Sequence, residues 1–186
     1  MNEVGFADMM KVLESWQAVR QREDFEEQLG IETLMLMFDL DPKVQEVFGF
    51  APNKKITGLQ RMGLLIHGSQ VVQVFDAIFS ALGPDIDEVL VPILEDLGDE
   101  HLILRLSPEQ FQSLSKALMQ ILPGKLDGWS PALESAWTNV MNAVTSQLAE
   151  CVRNRAPLKT PKTVTSTHSS NVVVKSLSVA TADRRL

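Results

Sequence analysis

His67 and His101 are the side chains of this 186-residue chain best suited to chemistry. They are the only histidines before residue 160, and each lies in an apolar stretch, "GLLIHGSQVVQVF" and "ILEDLGDEHLILRL". The third, His168, sits in a Ser/Thr-rich tail and takes no part in that pair. A neutral imidazole is a good ligand for iron, and two of them facing each other across a slot would bracket a flat metal cofactor. The single cysteine, Cys151, excludes an internal disulfide framework and a zinc site built from several thiolates. The clustered carboxylates Glu95, Asp96, Asp99 and Glu100 read as a solvated helix face.

Helices have to position these imidazoles. Apolar residues recur at three and four positions in Val12, Trp16 and Val19, and again in Ile31, Leu34, Met35 and Phe38. Asp41-Pro42, Ser107-Pro108 and Ser130-Pro131 each join a capping side chain to a proline at the first helical position. Breaks fall at 49–55, 82–85 and 122–129. The pattern predicts helices over 7–21, 26–40, 42–47, 57–82, 86–101, 108–122 and 131–153, an all-α fold with no internal repeat. From Ala156 onward the composition turns to Ser, Thr and Lys, so we divide the chain into one domain (1–155) and a disordered tail (156–186).

Gly30 and Gly68, lacking Cβ atoms, would let two of these helices cross at close range. Such a crossing would gather Leu34, His67 and Val71, and the last two share a helix face. Leu97 precedes His101 by one turn, so its carbonyl is in reach of the imidazole N–H and would fix the tautomer.

The net charge of -7 argues against a nucleic-acid partner. The N-terminus lacks a secretory signal, and no apolar run reaches the length of a membrane helix. The expectation is a cytoplasmic protein with no membrane partner.

The chain from about Val12 to Ala149 resembles the globin family. "LMFDLDPKVQEVFGF" (36–50) is similar to the end of the second globin helix, the short third one and the phenylalanine that packs flat on haem, here Phe48. "HGSQV" (67–71) resembles the distal segment, and "LEDLGDEHLILRLSPEQF" (94–111) the proximal helix with the proline-led start of the next. Trp16 and Trp137 fall on positions that are aromatic in the family. The pattern is nearest to neuroglobin-like and single-domain algal or protist globins.

The resemblance implies seven to eight helices, three over three, around a pocket for haem b (iron protoporphyrin IX). His101 would be the proximal iron ligand. His67 would be distal, as a second ligand or as a hydrogen-bond donor to the gas. Phe48, Leu34, Val71, Leu97 and Leu106 would line the cofactor. The implied function is reversible binding of O2, CO and NO, for oxygen storage, transport or buffering, rather than catalysis. The alternatives are a nitric oxide dioxygenase or nitrite reductase, and a gas or redox sensor. Those enzymes would depend on a separate electron-donating reductase, because the chain has no dinucleotide fingerprint. Gln70 replaces a basic residue common in the family, leaving Arg105 and one of Lys54, Lys55 or Arg61 as partners for the haem propionates. The interval between the histidines is longer than in myoglobin-like chains, which implies an enlarged turn near 83–92.

Overall fold

A computed structural model of the chain describes residues 4–52, 54–102 and 106–155. The expected tail and Arg105 lie outside the described residues. Among the described residues there are seven helices: α1 (Phe6–Val19), α2 (Phe25–Leu40), α3 (Val44–Val47), α4 (Leu59–Ser80), α5 (Ile86–Leu102), α6 (Pro108–Lys125) and α7 (Pro131–Arg155). No strand occurs among the described residues.

The starts of α6 and α7 follow the capping chemistry. Gln110 Oε1 accepts the Ser107 N–H at 2.7 Å, and Ser130 Oγ accepts the Leu133 N–H at 3.3 Å. At Asp41-Pro42 the same signal produces a turn instead. Asp41 Oδ1 accepts the Lys43 N–H at 3.2 Å, and α3 begins only at Val44.

The helices form two layers, α1, α4 and α5 against α2, α6 and α7. α4 crosses α2, while α1 and α5 both lie on α7. The α2–α4 crossing is the closest approach described. A Cβ on Gly68 would lie 2.7 Å from the Gly30 carbonyl carbon, and one on Gly30 would run into the Gly68 carbonyl. Behind it, Trp16, Phe79 and Trp137 pack edge to face with centroids 4.9 to 6.0 Å apart. All three are fully buried, yet both indoles are satisfied: Trp16 Nε1 donates to Asp76 at 2.9 Å and Trp137 Nε1 to Ser15 Oγ at 3.0 Å. These tryptophans are core residues.

Two expectations are corrected. The enlarged turn near 83–92 is absent, because the chain turns over 81–85 and α5 starts at Ile86. Short bonds from Ile86 N–H to the Gly83 carbonyl and from Glu88 N–H to the Asp85 carbonyl close it, and the extra length is spent on helix. Second, α4 is long and apolar enough, by length and composition, to cross a membrane. Its Leu64, Gly68, Val72 and Phe75 are buried, so it is a core helix whose outer face is also apolar.

Candidate functional site

Four rings from four segments line up through the middle of the molecule. Phe48 follows α3, His67 lies on α4, His101 on the last turn of α5 and Phe111 on the first turn of α6. Phe48 meets His67 at 5.3 Å between centroids, His67 meets His101 at 6.5 Å, and His101 meets Phe111 at 5.7 Å.

Each ring is set by local structure. The Gln45 carbonyl accepts the N–H groups of Phe48 and Phe50 and so folds the segment after α3 back on itself. Phe50 then stacks on Phe48, and Phe38 packs edge-on against both. His67 immediately precedes Gly68, so the glycine crossing determines how far its ring stands from α2. His101 Nδ1 lies 2.8 Å from the Leu97 carbonyl oxygen. A carbonyl only accepts, so this bond places the proton on Nδ1 and leaves the Nε2 lone pair free.

The other expected residues divide between the two walls of this slot. Leu34 is buried in a small cluster with Phe38, Val44, Leu64 and, at its edge, Phe48. Val71, Leu97 and Leu106 pack against the larger cluster that contains Leu94 and Phe111. The glycine crossing is present, but it does not bring Leu34 and Val71 into one cluster. The core instead comprises two clusters, one with Phe48 at its edge and the other containing Phe111, and Leu114 touches both.

Whether this arrangement fits haem depends on the histidine spacing. An imidazole nitrogen ligates a metal at about 2.0 Å, and ordinary ring bond lengths put it roughly 1.2 Å from the ring centre. Two imidazoles on opposite faces of one ion therefore have centres about 6.4 Å apart, close to the 6.5 Å found. No group of three or more His, Cys, Asp or Glu side chains able to hold a metal occurs among the described residues. The remaining ligands of any ion in the slot would have to come from a cofactor, and the divided apolar core suits a flat one. The residues fit the group.

Burial pushes the His67 pKa below its ordinary value, and the neighbouring His101 charge pushes it further. A hydrogen bond with Gln70, one turn on, opposes them. The residue that stands in place of the family's usual cation is thus an imidazole partner here. Its spacing of three from His67 was the available signal for an imidazole partner.

The lowered pKa makes stability depend on pH. The unfolded chain takes up a proton at the ordinary 6.5, while the folded one resists it. Acid therefore favours the unfolded state, and this loss of stability grows as pH falls below that value. Guanidinium unfolding at pH 7.5, 6.5 and 5.5 is expected to show a decline that is smaller in His67→Leu. Equal slopes in the two proteins would remove His67 as the cause.

Glu95, Asp96 and Asp99 are exposed on α5, as a solvated face requires. Residues 31–148, from α2 to α7, match the family model described as Globin. A similar protein is globin CTT-I/CTT-IA of Chironomus thummi thummi, 26% identical over 136 residues, covering 72% of this chain and 80% of that protein.

Proposed function

The chain belongs to the globin family, and on that premise we propose that it holds haem b between His101 and His67 and reversibly binds oxygen, CO and NO. Haem-based gas binding in general is what membership implies. The finer reading is carried by one observation, the two imidazole rings with their centroids 6.5 Å apart. When bound, the cofactor would supply iron, the atom able to take up a diatomic gas.

His101 is the permanent ligand, because the Leu97 carbonyl holds its proton on Nδ1 and presents Nε2 to the slot. Leu97, Leu106 and Phe111 wall that side. Val71 packs on that side too, while Leu34 and Phe48 wall the other; together they exclude water, which slows oxidation. His67 stays neutral at physiological pH, so it offers one lone pair and one N–H. The 6.5 Å spacing suits a lone pair turned inward, so His67 as well as His101 would hold the cofactor. A gas would then need His67 to swing aside, and its apparent affinity would be scaled down to the fraction of open molecules. In the open state the N–H of His67 donates to a polar gas in the slot. Oxygen storage or buffering is the use that these residues support.

The test is the visible spectrum of the ferrous, gas-free, haem-loaded protein. Sharp, split low-spin bands are expected for the natural chain, and a single broad high-spin band for His67→Leu. Both should shift with CO, and the variant should bind it faster by roughly tenfold or more, as expected when the open form is a minor one. A broad band in the natural protein would reject His67 as a ligand. Failure to take up one haem per chain would reject the whole reading.

A further inference from the structure

The outer face of α4 is apolar where the surface of a globular protein is ordinarily polar. Among the described residues six large hydrophobic side chains are exposed, and three of them fall within eight positions of this helix. Leu59 is 91% exposed, Met62 57% and Ile66 55%. With Gly63 they recur at three, four and seven positions, which puts them on one face, opposite the buried Leu64, Gly68 and Val72. A Cβ at Gly63 would meet nothing within 4 Å, so no described residue covers the stripe at that point.

The charge around the stripe is equally uneven. No acidic residue occurs between Glu46 and Asp76, whereas Lys54, Lys55 and Arg61 are exposed there. In a chain of net charge -7 this is a local cationic region flanking exposed aliphatic side chains. A second copy is a poor occupant, because a two-fold axis would set these cations against their equivalents. Three side chains also fall short of the ~800 Å² per partner of a standard interface. A protein partner suits the patch less well than lipid, since protein interfaces favour aromatic residues and are depleted in lysine. Aliphatic residues beside lysine and arginine are what an interfacial helix presents to anionic headgroups.

We propose that this face docks the protein on an anionic membrane surface. Leu59, Met62 and Ile66 enter the boundary between headgroups and acyl chains, and Lys54 and Lys55, in the segment leading into α4, pair with the lipid phosphates and carboxylates. The helix lies in the plane of the interface and its inner face stays on α2. This replaces the expectation of no membrane partner, and it does not depend on the haem reading. Ile66 adjoins His67 in the chain, so docking would bring the slot to the bilayer side of the molecule.

The full-length protein is to be sedimented with vesicles of phosphatidylcholine alone and with phosphatidylserine added. Partition into the anionic vesicles only is expected, weakened by salt. Leu59→Gln/Met62→Gln/Ile66→Gln should reduce it by about tenfold or more, and Lys54→Glu/Lys55→Glu likewise. These positions are exposed, and circular dichroism melting should show both variants folded. No partition of the natural chain into anionic vesicles overturns the proposal. So does partition that is unchanged in the folded triple variant, since the contact then lies elsewhere, for instance in the basic residues beyond 155. A dimer in sedimentation velocity that the triple substitution abolishes, without vesicle binding, assigns the face to a second copy instead.

Discussion

Replacing His101 with glycine leaves a folded chain that loses haem on the order of a hundredfold faster or more, equivalent to about 3 kcal/mol of retention, and free imidazole restores it. The fold survives because His101 is only half-buried, on the last turn of α5, where a glycine costs about 1 kcal/mol at most. Retention does not survive, because no described side chain replaces the nitrogen. His67 approaches from the opposite face, and Phe111, the ring behind His101, carries no lone pair. The space left between Leu97 and Phe111 admits one imidazole, whose N–H finds the same Leu97 carbonyl. Haem transfer to an acceptor protein, timed by absorbance with and without imidazole, provides the measurement. Natural retention in the glycine variant would give His101 no part in holding the cofactor. If His67→Leu loses haem as fast as His101→Gly, the two imidazoles share the load equally.

Gly30→Ala is expected to destabilise the fold by about 3 kcal/mol, lowering the melting temperature by roughly 10 °C in a domain of this size. The added methyl meets the Gly68 carbonyl group, which is backbone and has no rotamer to escape into. Gly68→Ala acts in the same direction, its methyl lying 2.7 Å from the Gly30 carbonyl carbon and 3.0 Å from the Ile31 nitrogen. Against this stands the helical preference for alanine, about 1 kcal/mol at most, which the clash outweighs. Gly63 supplies the control on the same helix. A methyl there meets nothing, so Gly63→Ala should raise stability by about 0.5–1 kcal/mol. Opposite signs at positions 63 and 68, read by thermal unfolding, identify the crossing as the cause. A Gly30→Ala protein as stable as the natural one would mean that α2 and α4 lie further apart than described. Since His67 precedes Gly68, forcing the helices apart should also alter gas binding in the destabilised variants.

Much of this was legible along the chain. The periodicity of Val12, Trp16 and Val19 and the serine caps before Pro108 and Pro131 marked helices whose starts agree to within one residue and whose ends differ by two or three. The largest difference at a helix end is in α6, expected to stop at 122 but running to Lys125, since Pro123 is exposed in its last turn. Proline there forgoes one bond near an end that frays in any case. The pairing of His101 with Leu97 was also legible, because a carbonyl one turn back is a local relation. The hydrogen bond between His67 and Gln70 likewise rests on a local relation, a spacing of three along α4.

Residue types and short spacings thus determined the helices, the two imidazoles and the glycine pair that allows a close crossing, because hydrogen bonding within a helix and capping act over a few residues. The tertiary structure alone decided that the imidazoles stand 6.5 Å apart, that Leu34 and Val71 belong to opposite walls, and that the outer face of α4 is left uncovered. Those distances depend on how α4 rides over α2 and how α5 rests on α7. Packing between helices distant in sequence has no signature in local periodicity, which says that a face is apolar but not what, if anything, it meets.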